Sequence, residues 1–221
     1  MIDAEAVAAN AARVRDRIAD AGGDPEVVTL VAVTKGFGPD LARVAVAAGL
    51  TTLGENYAQE LAAKHEAFAA EPPPTPPEWH FLGNLQTNKV RHLAPLVACW
   101  QSIDRPALIT ELAKRAPGAR VLVQINLSGE EHKGGCPFDE APTVVGLARD
   151  AGLRVEGLMG VGPAGDPAGA APSFRRLVAL ADAAELPVRS IGMSADLEVA
   201  VAAGSTMVRI GHDLFGPRPP R

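Results

Sequence analysis

Eight short runs of apolar and β-branched residues recur along the chain, most of them separated by Ala-rich stretches of helical spacing. This alternation restricts the fold more than any other feature. The runs begin at Val27 (VVTLVAVT), Thr51 (TTLG), Trp79 (WHFLG), Val97 (VACWQSI), Ala119 (ARVLVQINL), Arg154 (RVEGLMGV), Val188 (VRSIGMS) and Thr206 (TMVRIG). Near-continuous apolar strands linked by helices belong in a parallel sheet covered on both faces. Eight such units predict an α/β fold, a single (β/α)8 TIM-type barrel spanning residues 1–221. The rival is an open doubly wound sheet, which usually carries a Gly-rich fingerprint after its first strand; here that strand ends in Thr34-Lys35. The opening segment, MIDAEAVAANAARVRDRIADAGG, reads as an extra amphipathic helix ended by Gly22 and Gly23. Only LFGPRPPR follows Asp213, so this N-terminal helix is expected to fill the place of a full helix after the last strand. EPPPTPP, residues 71–77, reads as an extended connector, with a docking peptide as the alternative. GPAGDPAGAAP, following Val161, reads as a flexible loop at the C-terminal end of the sixth strand, of the kind that closes over sites.

Composition narrows the function classes. A net charge of -5 with no Lys or Arg cluster offers nothing to neutralise a run of phosphates, so no nucleic-acid partner is expected. Cys99 and Cys136 have no Cys or His at ligand spacing, which argues against a zinc site or a disulfide framework and fits a reducing cytoplasm. Asp3 and Glu5 precede any apolar run, so no signal peptide is expected. The apolar runs fall far short of the roughly 20 residues of a membrane span.

In a parallel barrel the strand C-termini and the loops after them form the active face. Lys35 emerges there from LVAVT, where poor solvation lowers an amine's pKa and frees it to attack a carbonyl; a lysine snorkelling off a strand end is the plain alternative. Gly54-Glu55-Asn56 ends the second strand, Ser194 the seventh, and Arg209, Gly211 and His212 the eighth. Loops after strands seven and eight commonly bind phosphate, a role that suits Ser194 and Gly211. The ADLEVAVAAG helix is expected directly after Ser194, which could equally serve as its N-cap. Arg209, flanked by Val208 and Ile210, needs a buried acceptor: a pyridine nitrogen, or a salt bridge to Glu55. An arginine at a pyridine nitrogen leaves that nitrogen unprotonated and weakens the ring as an electron sink. His80, His92 and His132 share no ligand spacing and read as loop or core residues, and no metal is proposed.

These segments together are recognisable. LVAVTK, LGENYAQE, WHFLGNLQTNK, INLSGEEHKGG, EGLMGV and GMSADLEVAVAAGSTMVRIGHDLFGPR, in that order over nearly the whole chain, resemble the pyridoxal phosphate homeostasis protein family, relatives of the N-terminal barrel of alanine racemase. The resemblance implies a cytoplasmic protein that binds pyridoxal 5'-phosphate and other B6 vitamers. In it Lys35 forms the imine, Asn56 lies near the ring and Arg209 meets the pyridine nitrogen, while Ser194, Gly211 and His212 surround the phosphate. It implies a holder and donor of cofactor, monomeric or weakly dimeric, serving cofactor-dependent apoenzymes, with no established catalytic residue. The alternatives are a slow racemase or lyase acting through the same imine, with Tyr57 or His212 as acid/base, and a sugar-phosphate barrel without an imine. Against the racemase stands its need for an opposing tyrosine from a second domain, while the chain's one tyrosine is Tyr57.

Three departures limit the carry-over. His212 stands where the family usually has Thr or Ser, which removes a hydroxyl and keeps the backbone N–H. Gly36 and Phe37 follow the site lysine where many relatives carry a second lysine, leaving Lys89 and Lys133 as candidates for any relay. Ile191 replaces a methionine, a volume-conserving change expected to be tolerated.

Overall fold

A computed structural model describes residues 2–130, 133–163, 166 and 168–218. Along the chain lie α1 (Ala4–Asp20), β1 (Thr29–Val33), α2 (Pro39–Ala47), β2 (Thr52–Glu55), α3 (Ala58–Ala70), β3 (Glu78–Phe81), α4 (Thr87–Leu93) and β4 (Cys99–Ile103). They are followed by α5 (Pro106–Arg115), β5 (Arg120–Ile125), α6 (Ala141–Asp150), β6 (Arg154–Gly160), α7 (Ala171–Ala183), β7 (Val188–Ser190), α8 (Leu197–Ala202), β8 (Met207–Ile210) and α9 (His212–Phe215). All eight predicted strands form. They pair parallel in chain order, and β8 returns to β1, so the sheet closes into a barrel and the open-sheet rival is excluded.

Local chemistry sets where the helices begin. Asp3 accepts the Ala6 N–H at 2.8 Å and so caps α1. Prolines open α2, α5, α6 and α7, at first-turn positions where the missing N–H has no intrahelical acceptor anyway. On α1 the buried residues Val7, Ala11, Val14 and Ile18 recur at helical spacing and join the main core. Strand side chains alternate between two environments. Outward ones such as Leu53, Phe81, Trp100 and Val123 join the helices in the main core, where each fully buried large side chain contributes about 1.5–3 kcal/mol. Inward ones, Val31, Cys99, Leu122, Met159 and Met207, fill the barrel's interior as a separate apolar cluster.

Helix α1 packs against α8, α9 and α2, so it takes the place a helix after β8 would occupy, and α9 is a single turn. Arg17 secures this closure by pairing with Glu198 on α8 and Asp213 on α9. One boundary differs from expectation: α8 begins at Leu197 and its N-cap position belongs to Asp196, whose carboxylate accepts the Met193 N–H at 2.6 Å. Ser194 is therefore in the turn before the helix and does not cap it; the Asp196 carboxylate ties back to that turn through Met193 and makes no capping bond to α8 itself.

The 71–77 segment connects α3 to β3 outside helix and strand. In the loop after β6, Ala168–Ala170 form a short 3-10 turn, and residues 164, 165 and 167 lie outside the described residues. Both cysteines are buried free thiols. Among the described residues, no helix is long and apolar enough to cross a membrane.

Candidate functional site

The alternation that fills the interior also aims the functional side chains. Val31 lies in the inner apolar cluster, and two and four residues on, Val33 and Lys35 line a pocket at the C-terminal mouth of the barrel. On β8 the same period runs from Met207 in the cluster to Arg209 and Gly211 at the pocket wall. The pocket encloses about 540 Å³, within the range of roughly 300–1,000 Å³ usual for small-molecule sites. All six predicted site residues, Lys35, Asn56, Ser194, Arg209, Gly211 and His212, line it.

Lys35 is half-buried, and its amine is held below the usual lysine pKa. Desolvation is the main cause, the Arg218 and Arg209 charges add to it, and Glu55 and Glu60 oppose it. Both peptide groups flanking Lys35 are fixed from behind. Lys64, buried on α3, donates to the Thr34 carbonyl at 2.7 Å, and Glu60 accepts the Gly36 N–H at 2.7 Å. Lys64 pairs with Glu55, which also accepts the Thr34 hydroxyl at 2.6 Å, so the strand end is clamped by a buried ion pair. Burial raises the Glu55 pKa, against the pull of Lys64.

Arg209 is almost fully buried, and its acceptors are all neutral: the Ser190 carbonyl at 2.6 Å, the Ser190 hydroxyl at 2.8 Å and the Gly160 carbonyl at 2.8 Å. The salt bridge to Glu55 weighed from the sequence is not made, because Glu55 faces outward to Lys64 on the helix side of the sheet. Desolvation pulls the Arg209 pKa down to about 10. Three of the guanidinium's five donors are used, leaving the others for whatever enters the pocket.

Across the pocket, Asn56 has a buried side-chain oxygen with no hydrogen-bond partner among the described residues. Its backbone runs so close to the next loop that a Cβ at Gly83 would stand 2.0 Å from the Asn56 carbonyl oxygen, so only glycine fits there. On the opposite wall the Ser194 hydroxyl accepts the Asp213 N–H at 3.3 Å, and Arg17 donates to the Ser194 carbonyl at 3.1 Å. His212 opens α9, so its N–H has no intrahelical acceptor. These groups form a rim of amides and a hydroxyl suited to an anion.

The structure adds residues the sequence reading passed over. Gly216, at φ 76°, turns the tail so that the Arg218 side chain lies against Gly36 and lines the pocket mouth. Leu82, Met193 and Val161 supply apolar walls. Nothing in the local sequence marks Arg218, since only the closed barrel brings the tail over the first strand. Phe37 lines the pocket and packs edge-on against Phe215 with ring centroids 6.1 Å apart. Lys89 lies on α4 and Lys133 pairs with Glu130; neither lines the pocket. Tyr57 does not line it either, whereas His212 does. His80 is a core residue on β3 as expected, while His92 is on the exposed face of α4 instead of in a loop or core. His132 lies outside the described residues. Ile191 is fully buried in the main core.

Comparison with known proteins places this geometry. The family described as alanine racemase, N-terminal domain, matches residues 2–219. A pyridoxal phosphate homeostasis protein from Pseudomonas aeruginosa is 39% identical over 223 aligned residues, which cover 97% of this chain and 95% of that protein. A crystal structure of an unknown protein from Bifidobacterium adolescentis superposes with a TM-score of 0.87 at 30% identity, covering 97% of this chain and 98% of the other. PipY of Synechococcus elongatus, solved with pyridoxal phosphate bound, superposes with a TM-score of 0.73 at 29% identity, covering 92% of this chain and 100% of PipY.

Proposed function

Because the chain belongs to the pyridoxal phosphate homeostasis protein family, within the alanine racemase N-terminal-domain group, we propose that it binds pyridoxal 5'-phosphate reversibly through Lys35 and serves as a cytoplasmic holder and donor of that cofactor. The observation that carries this reading is the convergence on one pocket of a desolvated lysine amine and a buried arginine whose own hydrogen-bond partners are all neutral. A buried cation whose hydrogen bonds go only to neutral groups, with Asp196 as a more distant charge, favours an anionic or electron-rich ligand over an empty pocket.

Bound there, the cofactor would supply an aldehyde able to condense reversibly with a primary amine, its oxygen leaving as water. Lys35 presents that amine with its proton loosened by burial and by two neighbouring arginines. Arg209 would hold the ring nitrogen with its remaining N–H groups, and as a donor would leave that nitrogen unprotonated. Asn56 offers its unpartnered oxygen to a ring substituent. Ser194, Gly211 and His212 receive the phosphate, with Arg17 bracing that rim from α1. The protein works as a monomer or weak dimer and hands the cofactor, or another B6 aldehyde, to apoenzymes, a role that needs no acid/base pair and so none of the racemase's second-domain chemistry.

Borohydride reduction of protein incubated with pyridoxal phosphate, followed by peptide mass mapping, tests the assignment. A pyridoxyl adduct on Lys35, lost in Lys35→Ala, is expected. A protein that takes up no cofactor, or carries the adduct on another lysine with Lys35 unmodified, would overturn it in favour of a sugar-phosphate ligand or another site.

A further inference from the structure

Beneath the pocket, inward-facing positions on four strands carry a polar chain through an otherwise apolar barrel interior. From Arg209 on β8 it passes to the Ser190 hydroxyl on β7 at 2.8 Å, and Ser190 donates to the Gln101 side-chain oxygen on β4 at 2.7 Å. The Gln101 amide nitrogen then lies 2.8 Å from Nδ1 of His80 on β3. Nε2 of His80 lies 3.8 Å from a carboxylate oxygen of Glu78 at the opposite rim. Arg209, Ser190, Gln101 and His80 are all buried.

The direction of every bond is fixed by stoichiometry. Ser190 has one hydroxyl proton and gives it to Gln101, so it can only accept from Arg209. The Gln101 nitrogen can only donate, so His80 Nδ1 accepts and the imidazole proton sits on Nε2, turned toward Glu78. Burial keeps His80 in that neutral form. Each donor of the chain thus points away from the pocket, and reversing Ser190 or Gln101 would leave the buried Ser190 hydroxyl without an acceptor, while the chain ends on the His80 Nε2–H, which has no hydrogen-bond partner among the described residues.

We propose that Ser190 and Gln101 are positioning residues for Arg209. They fix its guanidinium from below, so that its free N–H groups face the pocket at one angle. The inference concerns how Arg209 is held, and only its choice of ligands rests on the cofactor reading above. Gln101 and Ser190 do not line the pocket, so their effect is felt only by a ligand that meets Arg209.

The test compares two aldehyde phosphates on the parent chain, Ser190→Ala, Ser190→Thr and Gln101→Met: pyridoxal 5'-phosphate, which has a ring nitrogen, and glycolaldehyde phosphate, which has none. In Ser190→Ala and Gln101→Met the affinity for pyridoxal phosphate should fall about tenfold, as expected when a charged donor loses its orientation. Affinity for glycolaldehyde phosphate should stay within about twofold, and Ser190→Thr, which keeps the hydroxyl, should restore parental values. Parallel loss of both ligands would mean general loosening of the barrel and would overturn the proposal, as would no loss of either. A second arm needs no ligand. In the free protein, solvent exchange of the Arg209 side-chain N–H, followed by NMR, should rise in Ser190→Ala and Gln101→Met and stay parental in Ser190→Thr. Unchanged exchange in the first two overturns the proposal. A parent chain that captures neither aldehyde would count against the cofactor reading and leave this second arm fully readable.

Discussion

At the N-terminal rim of the barrel, Arg120 lies between Glu78 and Glu156, 3.0 Å from each, and Arg154 also reaches Glu156 at 2.9 Å. At the C-terminal rim, Lys35, Arg209 and Arg218 gather around one pocket, and the buried Arg209 bonds only neutral groups. The same residue types close both ends of the sheet, but at one end the charges satisfy one another and at the other they face a cavity. Pairing therefore separates cations that hold the barrel together from cations available to a ligand, which residue type alone does not.

Three measurements bear on this contrast. His80 lies between the rims, and its pKa is lowered to about 4 from the ordinary 6.5, chiefly by burial. Between those values the unfolded chain binds a proton that the folded chain refuses. The stability contribution is therefore complete above pH 6.5 and is lost as pH falls toward 4, by about 3 kcal/mol in all. Urea unfolding from neutral to acid pH should show this slope in the parent and a flatter one in His80→Asn; equal slopes would mean that the interior chain tolerates a charge. Next in size, Arg209→Met should weaken pyridoxal phosphate binding about 30-fold, the loss of a charge-assisted hydrogen bond to ligand. Unchanged affinity in a titration would make Arg209 as structural as the lower-rim cations. Smallest is Arg120→Met, expected to cost under about 1 kcal/mol, because these half-exposed pairs are screened by solvent. Its thermal midpoint deficit should shrink at high salt, and cofactor uptake should match the parent. A loss of uptake there would show that the two rims are coupled.

Much of this was legible in the sequence because it depends on short-range pattern. The eight apolar runs, and Lys35, Asn56, Ser194, Arg209, Gly211 and His212 at the ends of four of them, needed only the rule that strand C-termini form one face. Where an alternative weighed beside the main reading fell away, local competition decided. Asp196 displaced Ser194 from the start of α8, and Glu55 took Lys64 as its partner instead of Arg209. Arg17 and Arg218 carried no local signal, because their partners belong to elements far away in the chain.

The sequence by itself determined which residues share a side of their strand, since a period of two groups Arg209 with Met207, Ser190 with Val188, Gln101 with Cys99 and His80 with Glu78. It did not determine which of them meet. Ser190 and Gln101 are 89 positions apart, and they are joined because closing eight strands into a barrel brings β7 and β4 across a shared interior too narrow to leave either unpartnered.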